Sequence, residues 1–300
     1  MTAAEQGTAG VEMAQDATEA IPAGFDAEAS RGRAEALEAI AAEIRSCTNC
    51  RLHVGRTKAV PGEGHRDTEV VFVGEGPGFN EDQHGRPFVG RAGDLLVRLL
   101  REVGWRRDEV FITNVVKCRP PENRDPEPDE IAACAPFLQR QLAVLDPALV
   151  VTLGRHSLGR FMPGARIGQV HGTFREAPVG SGARDALAYA MYHPAAALRT
   201  PDIERQSFAD VRGVPMALSQ ARSHRERDRG GAGRSEANEG SEANEDSAPT
   251  PTASSAFPAP GSVPGQLDET IDIPLASEPG EAVTSPGEPV ADPRDQLPLF

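Results

Sequence analysis

The sequence predicts an α/β protein: a three-layer α/β/α sandwich around a central, mostly parallel, four-stranded sheet. Four short runs of β-branched, aliphatic and aromatic residues, at 69–74, 110–116, 148–153 and 188–192, read as largely buried parallel strands. Helical patterns separate them at 91–103, 128–145 and 155–161, and this alternation builds a parallel sheet with helices on both faces. Ligands in such sheets bind beyond the carboxyl ends of the strands. A functional site is therefore expected in the segments that leave those ends.

The elements follow in order. A first helix spans 34–44, where Leu37, Ile40 and Ile44 recur at helical spacing among Ala and Glu, and it ends near Cys47. A last helix covers about 202–220, after the fourth strand. Residues 1–30 hold six acids and no Lys or Arg, and 231–300 hold thirteen acids and two Arg amid Pro, Gly, Ser and Ala. Segments of that composition bury too little apolar surface to offset their ordering entropy. The chain thus divides into a disordered acidic tail (1–30), one folded domain (31–220) and a second disordered tail (221–300). That second tail starts with a mixed-charge run, Arg222 to Arg229, and repeats Ser-Glu-Ala-Asn-Glu at 235–239 and 241–245. The two ends carry −6 and −11 of the formal −14, which leaves +3 for residues 31–230. The acidic total does not exclude a polyanionic partner for the folded part.

The N-terminus has neither a basic nor an apolar signal region, and no stretch approaches 18 uninterrupted apolar residues. A cytoplasmic protein is expected, and in a reduced compartment four cysteines are poor candidates for two disulfides. Cys47 and Cys50 form a Cys-x-x-Cys pair after the first helix, Cys118 follows the second strand, and Cys134 lies on the next helix. Four thiolates suit a [4Fe–4S] cluster or a structural zinc, and buried or redox-active thiols are the plainer alternative. Spacing leaves these open, with the lone Cys118 and Cys134 leaning toward a cluster.

The first strand runs into Gly74-Glu75-Gly76-Pro77-Gly78, followed by Glu81, Asp82 and Phe88. Its glycines let backbone approach a ligand closely, although an ordinary tight turn would use them too, and the spacing matches neither the Rossmann nor the P-loop fingerprint. Two acids and an aromatic ring on one loop strengthen the case for a site. Asn114, at the end of the second strand, has the paired donor and acceptor that read the edge of a planar amide such as a pyrimidine, or else cap the strand. His193, after the fourth strand, can stabilise a developing oxyanion, though a lone His is more often structural.

Taken together, these stretches resemble the family 4 uracil-DNA glycosylases, the iron–sulfur branch of that superfamily. The likeness spans roughly 36–215 and rests on Cys-x-x-Cys, Gly-Glu-Gly-Pro-Gly with Glu81-Asp82, Gly85-Arg86-Pro87-Phe88-Val89-Gly90, Thr113-Asn114-Val115-Val116-Lys117-Cys118-Arg119-Pro120-Pro121, Cys134 and His193-Pro194-Ala195. The resemblance implies an enzyme of base-excision repair: a hydrolase that flips uracil out of DNA and cleaves its N-glycosidic bond. It implies a [4Fe–4S] cluster on Cys47, Cys50, Cys118 and Cys134. Phe88 would stack on the base, Asn114 would bind its O4/N3 edge, and Gly76 and Asp82 would line the pocket. His193 would stabilise charge on O2, while Glu75, Glu81 and Asp82 are candidates to orient water or the sugar cation. Because the loop presents Gly76 and Gly78 where family 1 has a water-activating acid and a tyrosine, thymine exclusion falls to another group, with Glu81 the candidate. Leu198 is the expected wedge and Arg199 the expected phosphate contact. The branch that traps uracil-DNA covalently carries an Arg-rich, His-containing insertion where this chain has Pro120-Pro121-Glu122-Asn123-Arg124, so turnover is expected.

The last five residues, Gln296-Leu297-Pro298-Leu299-Phe300, resemble the pentapeptide with which bacterial repair proteins bind the β sliding clamp, and Gln296, Leu297, Leu299 and Phe300 are its expected anchors. Two other classes compete with this reading. A non-catalytic DNA-binding scaffold is disfavoured by intact Phe88, Asn114 and His193, and a thiolate-zinc hydrolase by four cysteines that would leave zinc no open position. With no heptad pattern or second apolar face, a monomer is expected.

Overall fold

The computed structural model describes residues 26–235; most of the N-terminal tail, the later part of the C-terminal tail and the 296–300 peptide lie outside the described residues. The predicted strands appear as β2 (Val70–Gly74), β3 (Phe111–Asn114), β4 (Leu149–Leu153) and β6 (Leu187–Met191), parallel to one another in the order β3-β2-β4-β6. The sheet has six strands rather than four. Two short antiparallel edges flank it: β1 (Glu63–Gly64) pairs with β3, and β5 (Phe174–Glu176) pairs with β6. Neither edge carries a buried apolar run, so neither had the signature by which the inner strands were legible.

Every residue of the four parallel strands is buried, because both faces are covered. Val71 and Val73 face a cluster with Ile40 and Ile44 of α1 (Ala27–Ser46) and Leu138 and Leu142 of α5 (Pro128–Leu145). Val70 and Phe72 face Leu95, Leu96, Leu99 and Leu100 of α4 (Arg91–Glu102), whose i, i+4 spacing makes one apolar stripe. Each fully buried Leu contributes about 1.5–3 kcal/mol relative to exposure, so these stripes decide the layer order.

The domain is longer than expected at both ends. Helix α1 begins at Ala27, where the Asp26 carboxylate accepts the Glu28 and Ala29 N–H groups, and Ser30 and Arg33 bind Asp67. The expected last helix is two, α9 (Pro201–Val211) and α10 (Val214–Ser235), separated at Gly213, where a Cβ would stand 2.5 Å from the Tyr189 hydroxyl. The mixed-charge run is helical, with Arg222 paired to Glu69 and Arg225 to Asp146.

From β2 the chain moves to β3 on one side, then crosses to β4 on the other. The carboxyl ends of β2 and β4 therefore diverge at a topological switch point, where α/β sheets open a crevice.

Candidate active site

A cleft of about 650 Å³ opens at that end of the sheet. Glu75, Gly76, Glu81 and Phe88 enter it from the segment after β2, Asn114 from β3, and His193 and Arg199 from the segment after β6. Gly76 is close-packed there: a Cβ would stand 2.7 Å from Cγ2 of Val116.

Phe88 is buried and has a φ of 50°, a conformation that costs a bulky residue of order 1–3 kcal/mol. The surroundings impose it. Arg107 donates to the carbonyl oxygen of Phe88 (3.1 Å) and to that of Pro87, and is itself held by Glu63 at 2.8 Å. A Cβ on Gly93 of α4 would overlap the Phe88 carbonyl. The ring, so placed, stacks on His193 with centroids 5.6 Å apart and an interplanar angle of 29°.

Asn114 is 1% exposed, and its Oδ1 is buried with no hydrogen-bond partner among the described residues. A buried, unpaired acceptor costs about 1–3 kcal/mol, and one facing a cleft is suited to a ligand's N–H. His193 caps α8 (Pro194–Ala197): its Nδ1 accepts the Ala195 N–H at 3.1 Å, which places the neutral ring's proton on Nε2. Burial, reinforced by Arg199, lowers its pKa to about 4. The ring is a neutral donor at physiological pH. Gly154 makes room for it, since a Cβ there would lie 2.8 Å from Cβ of His193.

The three acids differ in their surroundings. Glu75 keeps its carboxylate in the cleft, where burial raises its pKa and His156, 3.7 Å away, opposes the rise. His156 in turn lies 3.4 Å from Asp125, which pairs with Arg155. Glu81 also borders the cleft, but its Oε2 accepts from Gly78 N (3.1 Å) and its Oε1 from Val89 N (2.9 Å) and Gly90 N (3.1 Å). Those bonds hold the two ends of the Phe88 loop together. Asp82, expected to line the pocket, does not. It is 2% exposed and faces the other way, accepting from Thr57 N at 2.8 Å, because that turn has no helix or strand to satisfy its N–H groups. Arg199 is exposed at the cleft, whereas Leu198 is half-buried against the core below it.

Cys47, Cys50, Cys118 and Cys134 converge on a second, small cavity lined also by Ile44, His53, Arg56 and Lys117. All four are free thiols. Burial pushes Cys134 up to about 11 and raises Cys118 despite a hydrogen bond from Arg56 Nη1 at 3.0 Å. Thiols so buried ionise when a metal takes the proton's place. Among the described residues, Glu75, Asp125 and His156 bring three possible ligand atoms within 4.8 Å of one another. The four thiols that meet in the small cavity are a donor set that suits a zinc ion or an iron–sulfur group.

Reading the sequence missed His156, which approaches Glu75, Asp125, which lines the cleft with Glu75, and Arg107, which sets Phe88. For His156 a signal existed, since it follows β4 directly. Asp125 sits in an irregular Pro-rich stretch and Arg107 in a short 3₁₀ turn, with no local pattern to mark either.

The model of the Uracil DNA glycosylase superfamily matches residues 61–212. A type-4 uracil-DNA glycosylase of Saccharolobus solfataricus is 49% identical over 189 residues, which cover 61% of this chain and 87% of that protein. One from Thermotoga maritima is 53% identical over 135 residues, covering 45% of this chain and 70% of its own length. A type-5 uracil-DNA glycosylase of Thermus thermophilus is 33% identical over 150 residues, covering 38% and 68%.

Proposed function

We propose, from the premise that the chain belongs to the uracil DNA glycosylase superfamily and to its type-4 branch, that it removes uracil from DNA by hydrolysing the N-glycosidic bond and leaves an abasic site for base-excision repair. The observation that carries this reading is the meeting of Phe88, Asn114 and His193 in one cleft, with Asn114 Oδ1 buried and unpaired.

The base leaves the stack and enters the cleft. Phe88 stacks on its face, and the Asn114 amide accepts from N3–H and donates to O4. As the bond from N1 to C1′ breaks, its electron pair passes to uracil, and the neutral His193 Nε2–H donates to O2, where the negative charge gathers. The sugar cation left behind takes up water at C1′, and the proton that this water sheds passes through solvent to the uracil anion. Glu75, at the cleft beside His156, orients that water and faces the cation. Glu81 shapes the loop, Leu198 wedges the duplex, and Arg199 binds phosphate.

Cys47, Cys50, Cys118 and Cys134 would hold a [4Fe–4S] cluster, and in doing so would tie the end of the first helix to the segment after β3 and to α5. The contribution of such a group would be structural, with four thiolates crosslinking three parts of the chain. No helix among the described residues is long and apolar enough to cross a membrane. The enzyme acts as a monomer on cytoplasmic DNA, and residues 296–300 dock on the sliding clamp, raising the local concentration of enzyme at replication sites.

An oligonucleotide labelled at its 5′ end and carrying one uracil, treated with protein and then alkali, tests the reading. Wild type cuts at uracil, and Asn114→Ala and His193→Ala lose most of that activity. No cutting by iron-loaded protein would favour a binding scaffold instead. Deleting 296–300 abolishes clamp binding and leaves excision unchanged; clamp binding that survives the deletion would overturn the peptide's role.

A further inference from the structure

Lys117 is fully buried, a rare state for a lysine. Its ammonium donates to Thr113 Oγ1 (2.6 Å), the Asn114 carbonyl oxygen (2.8 Å) and Gln141 Oε1 (2.7 Å), so its three donors meet three neutral oxygens. None of these partners is a carboxylate. Its own backbone N–H donates to Cys134 Sγ at 3.3 Å, it precedes Cys118 in the chain, and it lines the cysteine cavity. A buried cation without a carboxylate needs a counter-charge, and four thiolates with their cluster supply a negative one. One residue thus touches both the cysteine site and the strand end that presents Asn114 to the cleft.

We propose that Lys117 is a positioning residue that couples the cysteine-bound group to uracil recognition, holding Asn114 in place while the cysteines are liganded. The inference rests on the cluster reading above. Strand pairing with Gly74 fixes one side of Asn114, and the Lys117 ammonium fixes its carbonyl side. Helix α5 contributes twice to the same assembly, through Cys134 and through Gln141, whose Nε2 also donates to the Pro61 carbonyl oxygen at 2.8 Å. Arg56 makes the contrast: it donates to Cys118 Sγ at 3.0 Å and to the Arg45 carbonyl oxygen at 2.9 Å and does not reach β3.

The test compares full-length, iron-reconstituted wild type with Lys117→Met, Gln141→Met and Arg56→Met. Iron content, visible absorbance and thermal melting are measured with the inhibition constant of free uracil, which reports on the base pocket without DNA. Lys117→Met is expected to weaken free-uracil binding about tenfold with an equal drop in kcat/KM, and Gln141→Met about threefold, at wild-type iron content. Arg56→Met is expected to bleach faster in air with unchanged uracil binding. If Lys117→Met loses its iron or its fold, Gln141→Met carries the test alone. Unchanged uracil binding in iron-loaded Gln141→Met or Lys117→Met overturns the coupling, as does an equal loss in iron-loaded Arg56→Met. A wild type that takes up no iron overturns the cluster reading itself, a result distinguishable from the others by metal analysis.

Discussion

Gly74 and Asn114 pair across β2 and β3 so closely that a Cβ on Gly74 would overlap Oδ1 of Asn114 and stand 2.7 Å from Cζ of Phe88. The glycine is what allows the Asn114 amide and the Phe88 ring to share one wall. Gly74→Ala forces one of them to move, and overpacking of this kind costs about 1–3 kcal/mol. The expected result is a fall in kcat/KM of roughly tenfold to hundredfold, with free uracil binding weakened in parallel. Unchanged uracil binding would show that the wall relaxes at no cost.

His193 gives a pH prediction with a definite sign. Its pKa is lowered to about 4, so the neutral donor form persists at every pH above that value and is lost below it. The activity limb that belongs to His193 therefore sits near pH 4, and kcat is independent of His193 titration from about pH 5 to pH 8. Removing the donor in His193→Ala is expected to lower kcat by about 10²–10³-fold, as for other oxyanion donors. A pH–rate profile with a limb near 6.5 that disappears in His193→Gln would contradict a neutral His193.

Glu81 and Glu75 separate by the same logic of partners. The Glu81 carboxylate is saturated by Gly78, Val89 and Gly90 N–H groups, so Glu81→Ala should loosen the Phe88 loop, raise KM and destabilise the fold by about 1–3 kcal/mol. Glu81→Gln, which keeps one acceptor, should recover part of both. Glu75 has no such bonds and faces the cleft, so Glu75→Gln should lower kcat with little change in melting temperature. Because burial raises the Glu75 pKa and the role proposed for it needs the ionised form, wild-type kcat should fall on acidification at a pH above the ordinary carboxyl value, and that limb should be absent in Glu75→Gln. Abolished kcat with unchanged KM in Glu81→Gln would reverse the assignments.

The parallel strands were legible because burial on both faces leaves an uninterrupted apolar run, and Phe88, Asn114 and His193 were legible because each follows such a run or shares its loop. What the chain hid has physical reasons. Edge strands β1 and β5 owe their form to backbone pairing with β3 and β6, not to side chains. Asp82 looks like its neighbour Glu81 in sequence, yet on a short helix adjacent positions point apart, so one acid meets the loop and the other meets Thr57. The continuation of α10 past 220 was masked by charge, because Arg222 and Arg225 are anchored by Glu69 and Asp146, which are far away in the chain. Lys117 stood in plain view within a motif, but burial of a lysine is a property of the folded neighbourhood.

Arg107 and Glu63 together set the backbone of Phe88, which makes recognition sensitive to acid. Burial alone would raise the Glu63 pKa, but hydrogen bonds from Arg86 and Arg107 hold it below the usual carboxylate range. A carboxyl whose folded pKa is depressed contributes stability above its unfolded value, about 4.3, and loses it as pH falls through the folded value. Arg107→Gln removes the donors to Glu63, Pro87 and Phe88 at once. At pH 7 it should destabilise the fold by about 1–3 kcal/mol and raise KM, since Phe88 is then free to leave its φ of 50°. Denaturant melts of both proteins at pH 7, 5 and 3 check the origin of the loss. The gap between them should narrow at pH 3, where wild type has begun to lose the same ion pair, whereas a gap constant with pH would assign the loss to the two carbonyl bonds alone.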